Sequence, residues 1–284
     1  MLVEKVDFVG ESAYFFQGVS VLLSQEGPAA VKNLEIPLAY TEYFPLSDVF
    51  TIPAIIGGAQ EGKTISGVYL PSEAPLPPHW QAIPVRQILS LLADSPMDGT
   101  TGWLLRAFHI AQWRRESLFC GSCGSKNTDA VFDNAKGSGA STGPARQCPS
   151  CGRMEFPRIA PAVMTLVTND EGKILLAHNK TFAPGLYSLI AGFVEAGETL
   201  EAAAAREVRE EAGIEIRDIQ YAASQPWPFP HSLMICFTAR HVSGNVKADG
   251  VEIADAQWFS RENLPKLPGP GATARRLIDR WLEG

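Results

Sequence analysis

A chain of 284 residues has room for roughly two domains, and 45% hydrophobic against 19% charged residues is the balance of a globular protein able to bury a sizeable core. Its 24 basic and 31 acidic side chains leave a net charge of −7, which argues against the counterion-releasing grip on long nucleic acid that basic surfaces supply. No apolar run approaches a membrane span, and the N-terminus MLVEKVDFVGES has no basic stretch followed by an apolar one, so a cytoplasmic protein without membrane partners is expected.

Residues 1–118 are expected to form a mixed α/β domain without a catalytic motif. Apolar runs at 19–23 and 54–56, interrupted by Pro and Gly, predict short strands and turns. Pro71, Pro75, Pro77, Pro78 and Pro84 rule out a central strand or a continuous helix over 71–84 and predict a loop there. Residues 85–93 read as a helix. A second helix is predicted over 103–117, with Leu104, Phe108 and Ala111 on one side.

Residues 119–156 carry four of the five cysteines. Cys120 and Cys123 form one C-x2-C, and Cys148 and Cys151 form another, 24 residues beyond. Two such knuckles suit a closed, structural zinc site of four thiolates, a zinc ribbon. The gap is long for this arrangement, and KGSGASTG at 136–143 predicts a flexible tip inside it. Two disulfides are the alternative, disfavoured because nothing in the chain signals secretion. Cys236, inside the apolar run 233–239, reads as a buried strand residue.

From residue 157 to 284 the texture changes. Strands are predicted at 162–168 and 173–177, joined by the turn Asn169-Asp170-Glu171-Gly172, and a third at 187–191. A helix follows over 199–212, rich in Ala, Leu, Glu and Arg, with Thr199 placed to cap its start and Gly213 its end. Further strands are expected at 219–223, 233–239 and 257–260, and a last amphipathic helix at 273–282.

The 199–212 helix carries the chemistry. Glu207 and Glu211 stand one turn apart, Glu210 lies three residues from Glu207, and Arg206 is placed to pair with Glu210. Ala202, Ala203, Ala204 and Ala205 add no bulk, so the opposite face is expected to lie close against a sheet. Clustered hard carboxylates suit Mg2+ or Mn2+, which bridge to phosphates and orient a water for attack. With no His or Cys near this cluster to act as a nucleophile, direct attack of water on phosphorus is inferred.

The 23 residues from Gly192 to Ile214 match G-x5-E-x7-R-E-U-x-E-E-x-G-U at Gly192, Glu198, Arg206, Glu207, Val208, Glu210, Glu211, Gly213 and Ile214. This resembles the Nudix box. Ten residues further on, Ser224, Gln225, Pro226, Trp227, Pro228, Phe229, Pro230, His231 and Ser232 match the SQPWPFPxS motif of the NADH pyrophosphatase group of Nudix hydrolases. Alternating prolines make this segment a stiff loop, on which Trp227 and Phe229 offer aromatic faces to a base and Gln225, His231 and Ser232 offer hydrogen bonds.

The resemblance implies an α+β chain in which a Nudix α/β/α sandwich follows a zinc ribbon and a mixed α/β domain. It implies hydrolysis of NADH and NAD+ to nicotinamide mononucleotide and AMP, removal of NAD caps from RNA 5′ ends, and a homodimer. It also implies Glu207, Glu211, Glu252 and the backbone of Ala191 as metal ligands. Glu198 and Glu210 stay open between further ligands and residues that orient water. Arg86, Phe156 and Ala274 are implied substrate contacts; Phe156 stands where better-known members have a stacking Tyr. Two rivals remain: a broad diphosphatase for ADP-ribose or nucleoside triphosphates, and a non-enzymatic binding module.

Overall fold

The computed structural model describes residues 12–24, 36–37, 48–53, 64–76, 80–92, 100–130 and 144–284. The apolar run expected at 54–56, positions 77–79 and 93, and the expected tip at 136–143 lie outside them. Two compact units divide the chain, Met1–Arg158 and Ile159–Gly284. No helix among the described residues is long and apolar enough to cross a membrane.

The first unit holds a sheet of β1 (Ser12–Gln17), β2 (Ser20–Ser24), β3 (Ile36–Pro37), β4 (Asp48–Pro53), β5 (Thr64–Leu70) and β6 (Trp80–Pro84), in the order β4-β5-β1-β2-β6 with β3 pairing the start of β1. Alternation along β1 sets its two faces. Ala13 and Phe15 pack with Leu22, Val68, Leu70 and Trp80, while Phe16 turns the other way and meets Phe108 at 5.6 Å. Phe108 lies on α2 (Thr100–Glu116), which begins three residues before the predicted helix; α1 (Val85–Leu91) precedes it. The predicted loop at 71–84 is corrected at its end, where β6 pairs with β2. Pro84 is tolerated because β6 is an edge strand and Pro84 its last residue.

β7 (Thr128–Asp129), β8 (Arg146–Gln147) and β9 (Met154–Glu155) form a small antiparallel sheet in the same unit. Arg114 on α2 ties it to the larger sheet, with ion pairs of 2.9 Å to both Asp48 and Asp129. Arg146 completes this network by donating to the Arg114 carbonyl at 2.9 Å. Charges so close to the interior persist because each is matched and hydrogen-bonded.

The second unit is a sheet covered by one helix on each face. Its strands are β10 (Ala160–Thr168), β11 (Ile174–Asn179), β12 (Ile190–Phe193), β13 (Glu215–Trp227), β14 (Ser232–Ser243) and β15 (Ile253–Phe259), in the order β13-β14-β10-β11-β15 with β12 on β10. Along β10, Ala162, Met164 and Leu166 pack towards Ala274, Leu277 and Ile278 of α4 (Thr273–Glu283). Between them Val163 packs against Ala203 and Ala204, and Val167 against Val208 and Ala212, all four on α3 (Leu200–Ala212). Period-2 alternation on one strand therefore builds the α/β/α sandwich that the resemblance implies.

Three strands differ from expectation, one being β15, which begins at Ile253, four residues before the predicted start. The strand predicted at 187–191 is β12, shifted to Ile190–Phe193 because its ladder with β10 runs from Thr165↔Ile190 to Ala162↔Phe193. β13 extends through Trp227, so Gln225, Pro226 and Trp227 are strand and not loop. Being the edge strand, β13 holds Pro226 without losing the ladder to β14. The turn at 169–172 forms as predicted: Asn169 Oδ1 accepts from the backbone N–H groups of Glu171 and Lys173 at 3.1 and 3.0 Å.

Candidate active site

Thr199 starts α3, its hydroxyl oxygen accepting the Ala202 N–H at 3.2 Å, and Gly213 ends it in the left-handed conformation at φ 71°. Between these caps the helix presents its carboxylates differently from the expected arrangement. Ala203 lies one turn before Glu207 on the same line of the helix, and both Ala203 and Ala204 are fully buried. Glu207 and Glu211 thus border the sheet-facing side and point at β12, where the sequence alone suggested they lay opposite to it. Glu211 is only 7% exposed.

Gly192 is the reason the Glu207 carboxylate fits there. A Cβ at residue 192 would fall on the carboxyl group of Glu207. Gly192→Ala is expected to displace that carboxylate and lower kcat/KM by about 100-fold, the cost of misplacing a catalytic group by an ångström or so. The check is steady-state kinetics at saturating Mg2+ beside a thermal melt; full activity in the folded variant would contradict the packing argument.

Arg206 organises the charge around these residues. Its guanidinium donates to Glu198 Oε1 and Oε2 at 2.6 and 2.9 Å, to Glu207 Oε1 at 2.7 Å and to Glu210 Oε2 at 3.0 Å. It also donates to the Phe193 carbonyl at 2.9 Å, joining helix, loop and strand end. The sequence predicted only the pair with Glu210. Arg206 and the Glu195 N–H hold the Glu198 carboxyl down to about 2.

The opposite shift marks the inner pair. Burial, then the negative charges of Glu207, Glu252 and Asp249, push Glu211 up to about 8, against one hydrogen bond from the Ala191 N–H. Burial also raises Glu207; Arg206 opposes it, and Glu210 and Glu252 add to it. Glu252, from the loop before β15, is therefore close enough to act on both glutamates. Carboxylates are the hard oxygen donors a divalent cation takes, but these do not converge as the thiols do: among the described residues only the four ribbon cysteines form a group with ligand atoms all within 4.8 Å of one another.

Strand register puts the proline–aromatic segment at the same end of the sheet. Trp227 pairs with Ser232 and Ser232 with Ala160, two residues along β10 from the Ala162↔Phe193 pair. The Trp227 and Phe229 rings meet edge to face at 5.0 Å. Pro228 is buried beneath them, and Pro226 and Pro230 face outward. Gln225 is 2% exposed, and both ends of its amide are engaged inside the protein: Nε2 donates to the Gly271 carbonyl and Oε1 accepts from Thr273. The His231 carbonyl accepts the Ala160 N–H at 2.9 Å, and Ser232 is buried. Ala274, on α4, is buried in the core, so its side chain is not open to a substrate. In the first unit, Arg86 on α1 is exposed and Phe156, just past β9, is 58% exposed.

Two residues escaped the sequence reading. Phe193 is 54% exposed, an aromatic face beside the carboxylates held by Arg206. Its place inside the box, at a variable position, disguised it. The other is Asp249, which is remote from every motif.

The four ribbon cysteines converge, with their sulfurs all within 4.8 Å. Cys123 stands 3.4 Å from Cys148 and 3.7 Å from Cys151, and Cys120 stands 3.7 Å from Cys151. Sulfurs held tetrahedrally at about 2.3 Å from one ion would be about 3.8 Å apart. The two halves repeat one geometry: Gly124 N–H bonds the Cys120 carbonyl and Gly152 N–H the Cys148 carbonyl, each at 2.9 Å. None of these cysteines is in a disulfide.

The NUDIX domain family matches residues 158–282. A Pseudomonas aeruginosa protein named NAD-capped RNA hydrolase NudC is 40% identical over 220 residues, covering 72% of this chain and 75% of that one. The protein of the same name from Deinococcus radiodurans is 39% identical over 216 residues, covering 75% of this chain and 72% of its own. With the box intact and its carboxylates gathered at one end of an α/β/α sandwich, the chain belongs to the Nudix hydrolase family, in the NADH pyrophosphatase group that its proline–aromatic motif resembles.

Proposed function

We propose that this chain hydrolyses the diphosphate of NADH, and more weakly of NAD+, to nicotinamide mononucleotide and AMP, and that the same site removes NAD caps from RNA 5′ ends. The observation that supports this most is that the ladder ending at Trp227↔Ser232 reaches β10 two residues from the Ala162↔Phe193 pair, with Trp227 packed on the α4 side of the sheet and the glutamates of α3 on the other. In this reading residues 157–284 form the catalytic domain, after a domain over 1–118 and a zinc-holding ribbon over 119–156. The protein works in the cytoplasm as a homodimer.

Glu207, Glu211, Glu252 and the carbonyl of Ala191 would hold Mg2+ or Mn2+, which when bound neutralises the diphosphate and polarises phosphoryl oxygen and water. Arg206 keeps Glu198, Glu207 and Glu210 in place while the substrate arrives. Glu198 or Glu210 orients the attacking water. Trp227 and Phe229 stack on the planar ring; Phe156 and Arg86, in the first unit, and Ala274, whose side chain is buried, are the further contacts that the resemblance implies. Zn2+ at Cys120, Cys123, Cys148 and Cys151 is structural, since four thiolates leave no open position.

Product chromatography after parallel incubation with NADH, ADP-ribose and NAD-capped RNA tests the proposal. NADH and capped RNA are expected to be cut well and ADP-ribose poorly; preference for ADP-ribose would overturn it in favour of a broad diphosphatase. Trp227→Ala and Phe156→Ala are each expected to lower kcat/KM for NADH by about 5- to 150-fold, equivalent to a lost stack of roughly 1–3 kcal/mol. ADP-ribose, which lacks the nicotinamide, should be affected much less. Equal losses on both substrates would assign the rings to adenine or to the fold.

A further inference from the structure

The loop from β14 to β15 is built around one side chain. Asp249 Oδ1 accepts the N–H groups of Val251 and Ile253 at 2.9 and 2.8 Å, and Oδ2 accepts the N–H of Glu252 at 3.2 Å. Gly250, at φ 72°, closes the same turn through its N–H to the Ile253 carbonyl at 3.1 Å. The turn is fastened on two sides. The Asp249 N–H bonds the Glu211 carbonyl at 3.3 Å, on the last turn of α3. The Lys180 N–H bonds the Glu252 carbonyl at 2.9 Å, and the Lys180 ammonium bonds the Gly250 carbonyl.

Asp249 spends its carboxylate on the turn of its own loop. Both of its oxygens are directed at backbone, which suits a group that shapes the loop. The residue whose backbone it fixes is Glu252, which comes from a strand end and not from the rigid helix that carries Glu207 and Glu211.

We propose that Asp249 is a positioning residue: by gathering the N–H groups of residues 251–253 it aims Glu252 at Glu207 and Glu211 and so sets the affinity of the site for its divalent cation. The proposal rests on the reading of Glu252 as a cation ligand. Partners that orient a ligand from behind typically govern affinity by 10- to 100-fold.

The test is direct Mn2+ binding, followed by the electron paramagnetic resonance of the free ion, so that it does not depend on turnover. Asp249→Ala is expected to weaken Mn2+ about 10- to 100-fold, and Asp249→Asn, which keeps one acceptor oxygen, about 3- to 10-fold. In a Glu252→Gln background, Asp249→Ala should add little, since the residue it positions is already disabled. A folded Asp249→Ala protein with wild-type affinity overturns the proposal. If that variant does not fold, an Asp249→Asn protein with wild-type affinity overturns it. Full additivity of the two losses would do so as well, because Asp249 would then act apart from Glu252. The underlying reading fails separately: Glu252→Gln alone leaving Mn2+ affinity unchanged would remove Glu252 from the ligand set, whatever Asp249 does.

Discussion

Glu211→Gln is expected to lower kcat by about 1,000-fold or more while the protein becomes easier to fold without metal. The activity loss corresponds to about 4 kcal/mol of transition-state stabilisation, the scale on which bound cations act in phosphoryl chemistry. Glutamine keeps the shape but removes the charge of the most buried carboxylate in the cluster. The stability effect has the opposite sign. The folded protein raises Glu211 to about 8, above its ordinary value of 4.5, so its contribution to stability is complete below pH 4.5 and is lost as pH rises through 8. Metal-free wild type should therefore fall in Tm relative to Glu211→Gln between pH 5 and pH 8, and Mg2+ should raise wild type more than the variant. Near-wild-type turnover in the variant at saturating Mg2+ would contradict the metal-site assignment. Parallel melting curves across that pH range would contradict the electrostatic one.

Cys120→Ser is expected to abolish zinc binding and lower Tm by about 10 °C or more, because metal binding at a closed thiolate site is folding free energy. Cys120 is buried, and its N–H and carbonyl are both used in the first knuckle, to Ser125 and Gly124. The damage should pass beyond the ribbon, since Arg114 and Arg146 bind Asp129 on β7 to the larger sheet through Asp48. Elemental analysis of protein purified without chelator supplies the baseline of about one zinc per chain. A zinc-free but fully stable wild-type protein would overturn the assignment.

Much of the catalytic unit was legible because its signals are local. Helix formers between Thr199 and Gly213 determine α3 within a residue or so, and apolar runs mark β10 and β14. Cysteine spacing alone anticipated the thiol cluster. The first unit was less legible: β1 was not anticipated, and an edge position rescued β6 from its prolines. Edge position equally let β13 run through Pro226, because a missing N–H is harmless where no neighbour needs it.

What the sequence by itself determined is the inventory of the site: which carboxylates, which thiols and which rings exist, and which share a helix or a loop. Only the tertiary structure decided how they are aimed. Glu207 turns towards β12 because Gly192 leaves a hollow there, Glu211 because the Ala191 N–H meets it, and buried Ala203 and Ala204 draw that face of α3 onto the sheet. Gln225 turns inward because a buried amide must find its partners, here Gly271 and Thr273. The loop before β15 meets the last turn of α3 because the Asp249 N–H bonds the Glu211 carbonyl, a contact invisible to any motif. Helix and strand signals depend on neighbours in sequence, whereas the direction of a charged side chain depends on the charges and hollows that distant segments bring beside it.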